Sequence, residues 1–148
     1  MGTSNRTGLV EPASATAVVT AALRKVGVVW LGVDRATPVA AWPLWVRAAD
    51  GGVLYVLHGP GEQPAPGLAG AGRCQVLVRG RDGALALELS ADVETVLPDG
   101  DEWAGVAPKL AAARLNLPDP AAAVRRWAAE CTVSRLTPDP ASIRPHPG

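Results

Sequence analysis

Hydrophobic and polar positions alternate most cleanly between Ala84 and Leu97. Leu85, Leu87, Leu89, Ala91 and Val93 fall on one face and Glu88, Ser90, Asp92 and Glu94 on the other. A period of two over this length predicts a long strand with one buried and one solvated side. Upstream the pattern is different. Val18, Val19, Ala22, Leu23 and Val26 recur at helical spacing behind Pro12, which suits a first helical position, and Lys25 and Gly27 end the run. Val28 to Val33 is a short Val-rich run that predicts a buried strand, followed by a turn at Asp34 to Thr37.

A second strand is predicted from Pro38 to about Ala49, apolar on both faces, with Val39, Ala41, Pro43 and Trp45 on one and Ala40, Trp42, Leu44 and Val46 on the other. Pro43 has no N–H for a ladder, so an edge or a bulge is expected there. Asp50-Gly51-Gly52 reads as a hairpin turn and Val53 to His58 as its partner strand. The longest irregular segment, GPGEQPAPGLAGAG, covers residues 59–72. Arg73 to Arg79 is a strand, joined by an Arg81-Asp82-Gly83 turn to the long alternating one. After Pro98 the acidic run Asp99, Asp101, Glu102 opens a helix reaching roughly Leu115, and Asp119-Pro120 caps another with Val124, Trp127 and Ala128 inside. Cys131 to Leu136 is the last strand. One domain is expected over residues 12–137, between a loose tail at 1–11 and a Pro-rich tail at 138–148.

Composition narrows the function classes. The 14 basic and 14 acidic residues cancel, which removes the basic footprint of a nucleic-acid binder. No apolar run approaches the roughly 18 residues of a membrane span, and the polar first residues lack the apolar region of a signal peptide, so a cytoplasmic protein with no membrane partner is expected. Phe is absent and Ala, Gly, Pro, Val and Arg abound, a bias we attribute to a GC-rich genome. Cys74 and Cys131 are too few for a disulfide framework and are expected to be buried thiols in strands. His58 and His146 are the only histidines, which leaves no zinc cluster. No nucleophile, base and orienting group can be assembled, so catalytic residues stay unassigned.

The order helix, three strands with a tight hairpin, loop, two-strand hairpin, helices, last strand resembles the pyridoxamine 5'-phosphate oxidase-like, FMN-binding split-barrel family. The resemblance rests on Pro43-Leu44-Trp45, Asp50-Gly51-Gly52 with Leu54-Tyr55, the glycine loop from Gly59, and Arg73-Cys74-Gln75-Val76. It implies an α+β protein, mainly β with flanking helices, built as a six-stranded antiparallel split β-barrel that forms a homodimer. It further implies a cofactor at the subunit interface, FMN or a deazaflavin coenzyme, serving hydride transfer to or from an unknown small-molecule substrate. Family members also include haem binders. The ring system would lie along Ala41, Trp42, Pro43, Leu44 and Trp45, and the phosphate against His58, Gly59, Gly61 and Gln63, with Arg73 as a further cofactor-binding candidate.

One departure weakens that phosphate grip. Such a loop usually carries Ser, Thr, Lys or Arg, because a dianion needs charge-assisted donors. Here Glu62 is expected to repel a phosphate, two prolines remove N–H donors, and no cation occurs between Arg47 and Arg73. Arg47, Arg73 or Arg79 would have to reach in from a strand. The alternative is a cofactor-free split barrel acting as a dimeric binding or scaffold protein.

Overall fold

Eight strands and three helices follow one another along the chain in a computed structural model, which describes residues 12–48, 51–114 and 116–146. The helices are α1 (Pro12–Lys25), α2 (Asp101–Ala113) and α3 (Pro120–Glu130). The strands are β1 (Val29–Gly32), β2 (Val39–Ala41), β3 (Leu44–Ala48), β4 (Gly51–His58), β5 (Arg73–Arg79), β6 (Leu85–Val96), β7 (Thr132–Pro138) and β8 (Arg144–Pro145). Among the described residues no helix is long and apolar enough to cross a membrane. The expected tail at 1–11 lies outside the described residues.

The sheet is antiparallel throughout, in the order β2-β1-β5-β6-β7-β4-β3, with β8 paired to β6. The expected six-stranded barrel is therefore a curled sheet of seven strands with β8 added. The extra strand comes from the predicted 38–49 segment, which is two strands rather than one. Trp42-Pro43 separates them: β2 pairs with β1, and β3 pairs with β4 at the opposite end of the hydrogen-bonded order. Pro43 cannot donate to a ladder, so pairing stops where the chain passes from one end of the sheet to the other.

The hairpin also differs from expectation. Ala48 stands opposite Gly51, which puts Gly51 and Gly52 in β4 and the connection at residues 49–50, outside the described residues. Gly52 has its own reason to be glycine. A Cβ there would lie 2.4 Å from the Trp45 ring, which lies across the backbone.

The Pro-rich segment expected as a tail from residue 138 is instead bound to the sheet. Asp139 N–H donates to Ser90 C=O, Ser90 N–H to Ser142 Oγ, and His146 N–H to Ala86 C=O, so the chain continues along β6 past the end of β7. Ile143 is 5% exposed and belongs to the core. Its Pro content conceals this because prolines suit an edge with few ladder bonds.

Two cores lie on opposite faces of the sheet. Leu54, Val56, Val76, Leu87, Leu89 and Leu136 pack with Val19 under α1. Leu57, Val96 and Val133 pack with Leu110 and Trp127 under α2 and α3. Successive β4 residues serve alternate cores, which is why both faces of the hairpin read as apolar.

Candidate functional site

The break at Trp42-Pro43 leaves backbone groups without a strand partner, and one side chain fills the gap. Gln63 Oε1 accepts from Trp42 N–H at 2.9 Å, while its Nε2 donates to Trp42 C=O at 3.1 Å and to Leu57 C=O at 3.0 Å. The amide thus stands in for a peptide between the start of the break and the end of β4. Gly59 N–H donates to Gln63 C=O and Glu62 N–H to Gly59 C=O, closing the loop on itself. Gly59 (φ 130°) and Gly61 (φ 78°) adopt backbone angles that favour glycine. A Cβ on Gly61 would also come within 3.0 Å of Arg126.

Glu62 does not face outward to repel an anion. Its side chain is 4% exposed and turned toward the helices. There Arg114, the C-cap of α2, donates to Oε1, Arg126 of α3 donates to Oε2 at 2.5 Å, and the Trp127 indole N–H donates to Oε2 at 3.2 Å. Burial works to raise the Glu62 pKa, but the hydrogen bonds from Arg114, Trp127 and Arg126 outweigh it and hold the carboxyl below its ordinary value. Arg126 also donates to Pro60 C=O at 3.2 Å. The loop therefore has two cations after all. They come from positions 52 and 64 residues further along the chain, so no local reading could find them. Their one advance signal is a carboxylate placed in a loop without a nearby partner.

Trp42, Gly61, Glu62, Gln63, Ala113 and Arg114 line an open cleft of about 440 Å³. The Arg114 guanidinium lies 5.4 Å from the centroid of the Trp42 ring, a cation–π pair at the cleft wall. Of the candidate residues, the fold thus gathers Trp42, Gly61 and Gln63, with Gly59 shaping the loop behind them.

The others lie elsewhere. Trp45 faces α1, where its indole N–H donates to Thr20 Oγ1 at 2.8 Å. It walls a second cavity of about 320 Å³ with Val19, Tyr55, Pro140 and Ile143. Ala41 is buried in the core under α1 and Leu44 packs against the core under α2 and α3. His58 is buried and hydrogen bonded to Ser134 at 2.9 Å, and burial pushes its pKa down. Arg73 pairs with Asp92 and Asp139 on the surface, Arg79 donates to Gly83 C=O, and Arg47 is exposed.

The cysteines part company. Cys74 is buried, and desolvation pushes its thiol up to about 11. Cys131 is not in a strand: it caps α3, partly exposed, with its thiol 3.4 Å from Pro60 C=O. Among the described residues no group of three or more His, Cys, Asp or Glu side chains is placed to hold a metal.

Comparison with known proteins bears on the fold. The chain matches a general stress family protein from Xanthomonas campestris, so named provisionally, with a TM-score of 0.56 at 17% identity, covering 93% of this chain and 91% of that one. It matches HutZ, the haem storage protein from Vibrio cholerae, with a TM-score of 0.54 at 13% identity over 86% and 91%. A Listeria innocua protein provisionally named pyridoxamine 5'-phosphate oxidase gives 0.50 at 18% identity over 86% and 94%. The fold is that of the pyridoxamine 5'-phosphate oxidase-like split barrels. All of these matches lie below 25% identity, and what they share with this chain is the fold. No protein-family model matches the sequence, and no curated protein matches it.

Proposed function

We propose that this split barrel binds a flavin or deazaflavin coenzyme in the Trp42 cleft and serves as an oxidoreductase for a small molecule. The observation that carries this reading is the convergence of an aromatic face, a guanidinium and a glycine loop on one open cleft: Trp42, Arg114 and Gly59 to Gln63. Trp42 offers a planar surface for a ring system, and Arg114 offers charge-assisted donors to a phosphate. Gly61 lets Arg126 lie close against the loop backbone. Of the two tryptophans in the predicted strand, Trp42 is the stacking residue, because Trp45 is committed to Thr20 and the α1 side.

The coenzyme would supply the hydride chemistry. The protein's part is to hold and orient it, with no acid or base required from the chain. A homodimer is part of the proposal, since the resemblance places the cofactor between subunits. Haem is a poorer fit: neither His58, engaged with Ser134, nor His146, engaged with Glu88, lines the cleft. A cofactor-free scaffold is the second reading, favoured by one observation, that Glu62 already engages both Arg114 and Arg126.

Visible absorption of the purified protein, followed by FMN and deazaflavin titrations, tests the proposal. We expect a dissociation constant at or below tens of micromolar (about −6 kcal/mol or tighter) and roughly tenfold weaker binding in Trp42→Ala or Arg114→Gln. Absence of binding to both coenzymes at about 100 μM would leave the scaffold reading. Sedimentation at micromolar concentration tests the dimer, and a monomer would count against an interface site.

A further inference from the structure

The three donors that meet at Glu62 all belong to the helices, while Glu62 itself is carried by the loop. Arg114 ends α2, and Arg126 and Trp127 are neighbours in α3. Two guanidinium forks and an indole N–H make a set that recognises oxyanions in general, and nothing in it is particular to a carboxylate of the same chain. The charges are also uneven. One buried carboxylate faces two cations, and the other carboxylate acting on Arg126, Glu130, is exposed on α3. A phosphate, at about −1.5 to −2, would match two guanidiniums more fully than Glu62 does.

The tether is an irregular loop and not a strand or helix. Glu62 follows Gly61 in an irregular loop with a second positive-φ glycine at Gly59, and both Arg114 and Glu62 border the Trp42 cleft. A ligand in that cleft would reach Arg114 first, since Arg114 lines it and Arg126 and Trp127 do not.

We propose that Arg114, Arg126 and Trp127 form an oxyanion site that Glu62 occupies as a tethered competitor, yielding it to the phosphate or carboxylate of a ligand entering the Trp42 cleft. The oxyanion site stands on the cradle alone, and only its use by a coenzyme rests on the function proposed above. No covalent step is involved. Exchange swaps one charge-assisted set for another, so the loop opens only to ligands that bring an anion.

Two measurements separate the site from the coenzyme. The first compares melting of wild type, Glu62→Ala and Glu62→Ala/Arg114→Gln in sodium chloride and in sodium phosphate at matched ionic strength. Glu62→Ala should melt below wild type in chloride and recover most of the difference in phosphate, while the other two shift only by a common small salt effect. An equal phosphate shift in all three proteins, or no recovery in Glu62→Ala, would overturn the site. If Glu62→Ala does not fold in chloride, Glu62→Gln takes its place under the same criterion. The second measurement titrates FMN and riboflavin, which lacks the phosphate, into wild type and Glu62→Ala. FMN should bind about fivefold tighter or better to the variant, a gain larger than any change in riboflavin affinity. FMN binding unaltered by the substitution would overturn the competitor role. Recovery in phosphate with no binding of either flavin would keep the oxyanion site and reject the coenzyme.

Discussion

The β3–β4 hairpin and the loop that follows it are neighbours in sequence but are held in different ways. The hairpin is fixed by ladder pairing and by side chains that alternate between two cores, so each residue's neighbours follow from its parity. The loop at 59–63 has no such rule. It is held by Gln63 bridging a strand break, and by Glu62 reaching two arginines and a tryptophan on helices far along the chain. A hairpin is damaged by changes in shape, whereas this loop should respond to charge and pH.

Trp127 is where the two meet, since it is fully buried in the core under α2 and α3 and also donates to Glu62. Trp127→Ala should give the largest effect, a loss of about 3–5 kcal/mol in denaturant unfolding. A loss under about 1 kcal/mol would mean the helices are not seated as described. Gly52→Ala comes next and touches only the hairpin. Its new Cβ would meet the Trp45 ring, and about 1–3 kcal/mol should be lost. Indole fluorescence should report the displaced ring, and an unperturbed spectrum would contradict the packing.

The loop's signature is pH. Glu62 has its pKa lowered on folding, so its contribution is complete above the ordinary 4.5 and is lost as pH falls through the folded value. His58, also lowered, contributes above 6.5 and loses stability as pH falls from there, in wild type and variant alike. Glu62→Gln should cost less at pH 7 than Trp127→Ala or Gly52→Ala, because its arginine partners stay partly exposed, and its melting deficit should shrink as pH falls below about 4.5. A deficit constant with pH would remove the carboxylate from the account. Arg73→Ala should do least, within about 0.5 kcal/mol, because its pairs with Asp92 and Asp139 are half exposed. A larger loss would show that a site far from the loop matters to the hairpin's own sheet.

Legibility in the sequence follows the same division. The Leu85 to Val93 alternation, the α1 periodicity and the Asp119-Pro120 cap each led to the observed element, because each depends on residues a few positions apart. Pro43 announced a defect, but its outcome, a strand divided between the two ends of the sheet, depends on which partners the halves find. The 138–146 segment hides its place for the opposite reason. Its many prolines suggest a tail, while Ile143 and a few backbone bonds along β6 decide its place.

The sequence by itself determined α1, the long β6 strand, the cap of α3, the two-sided burial of the hairpin and the unusual composition of the Gly59–Gln63 loop, since these are properties of spacing and local backbone freedom. Only the tertiary structure decided the electrostatic character of that loop. Read along the chain, Glu62 stands alone with no cation nearby. Folding brings Arg114 and Arg126 to it from 52 and 64 residues away, and a group's charge environment depends on distance in space.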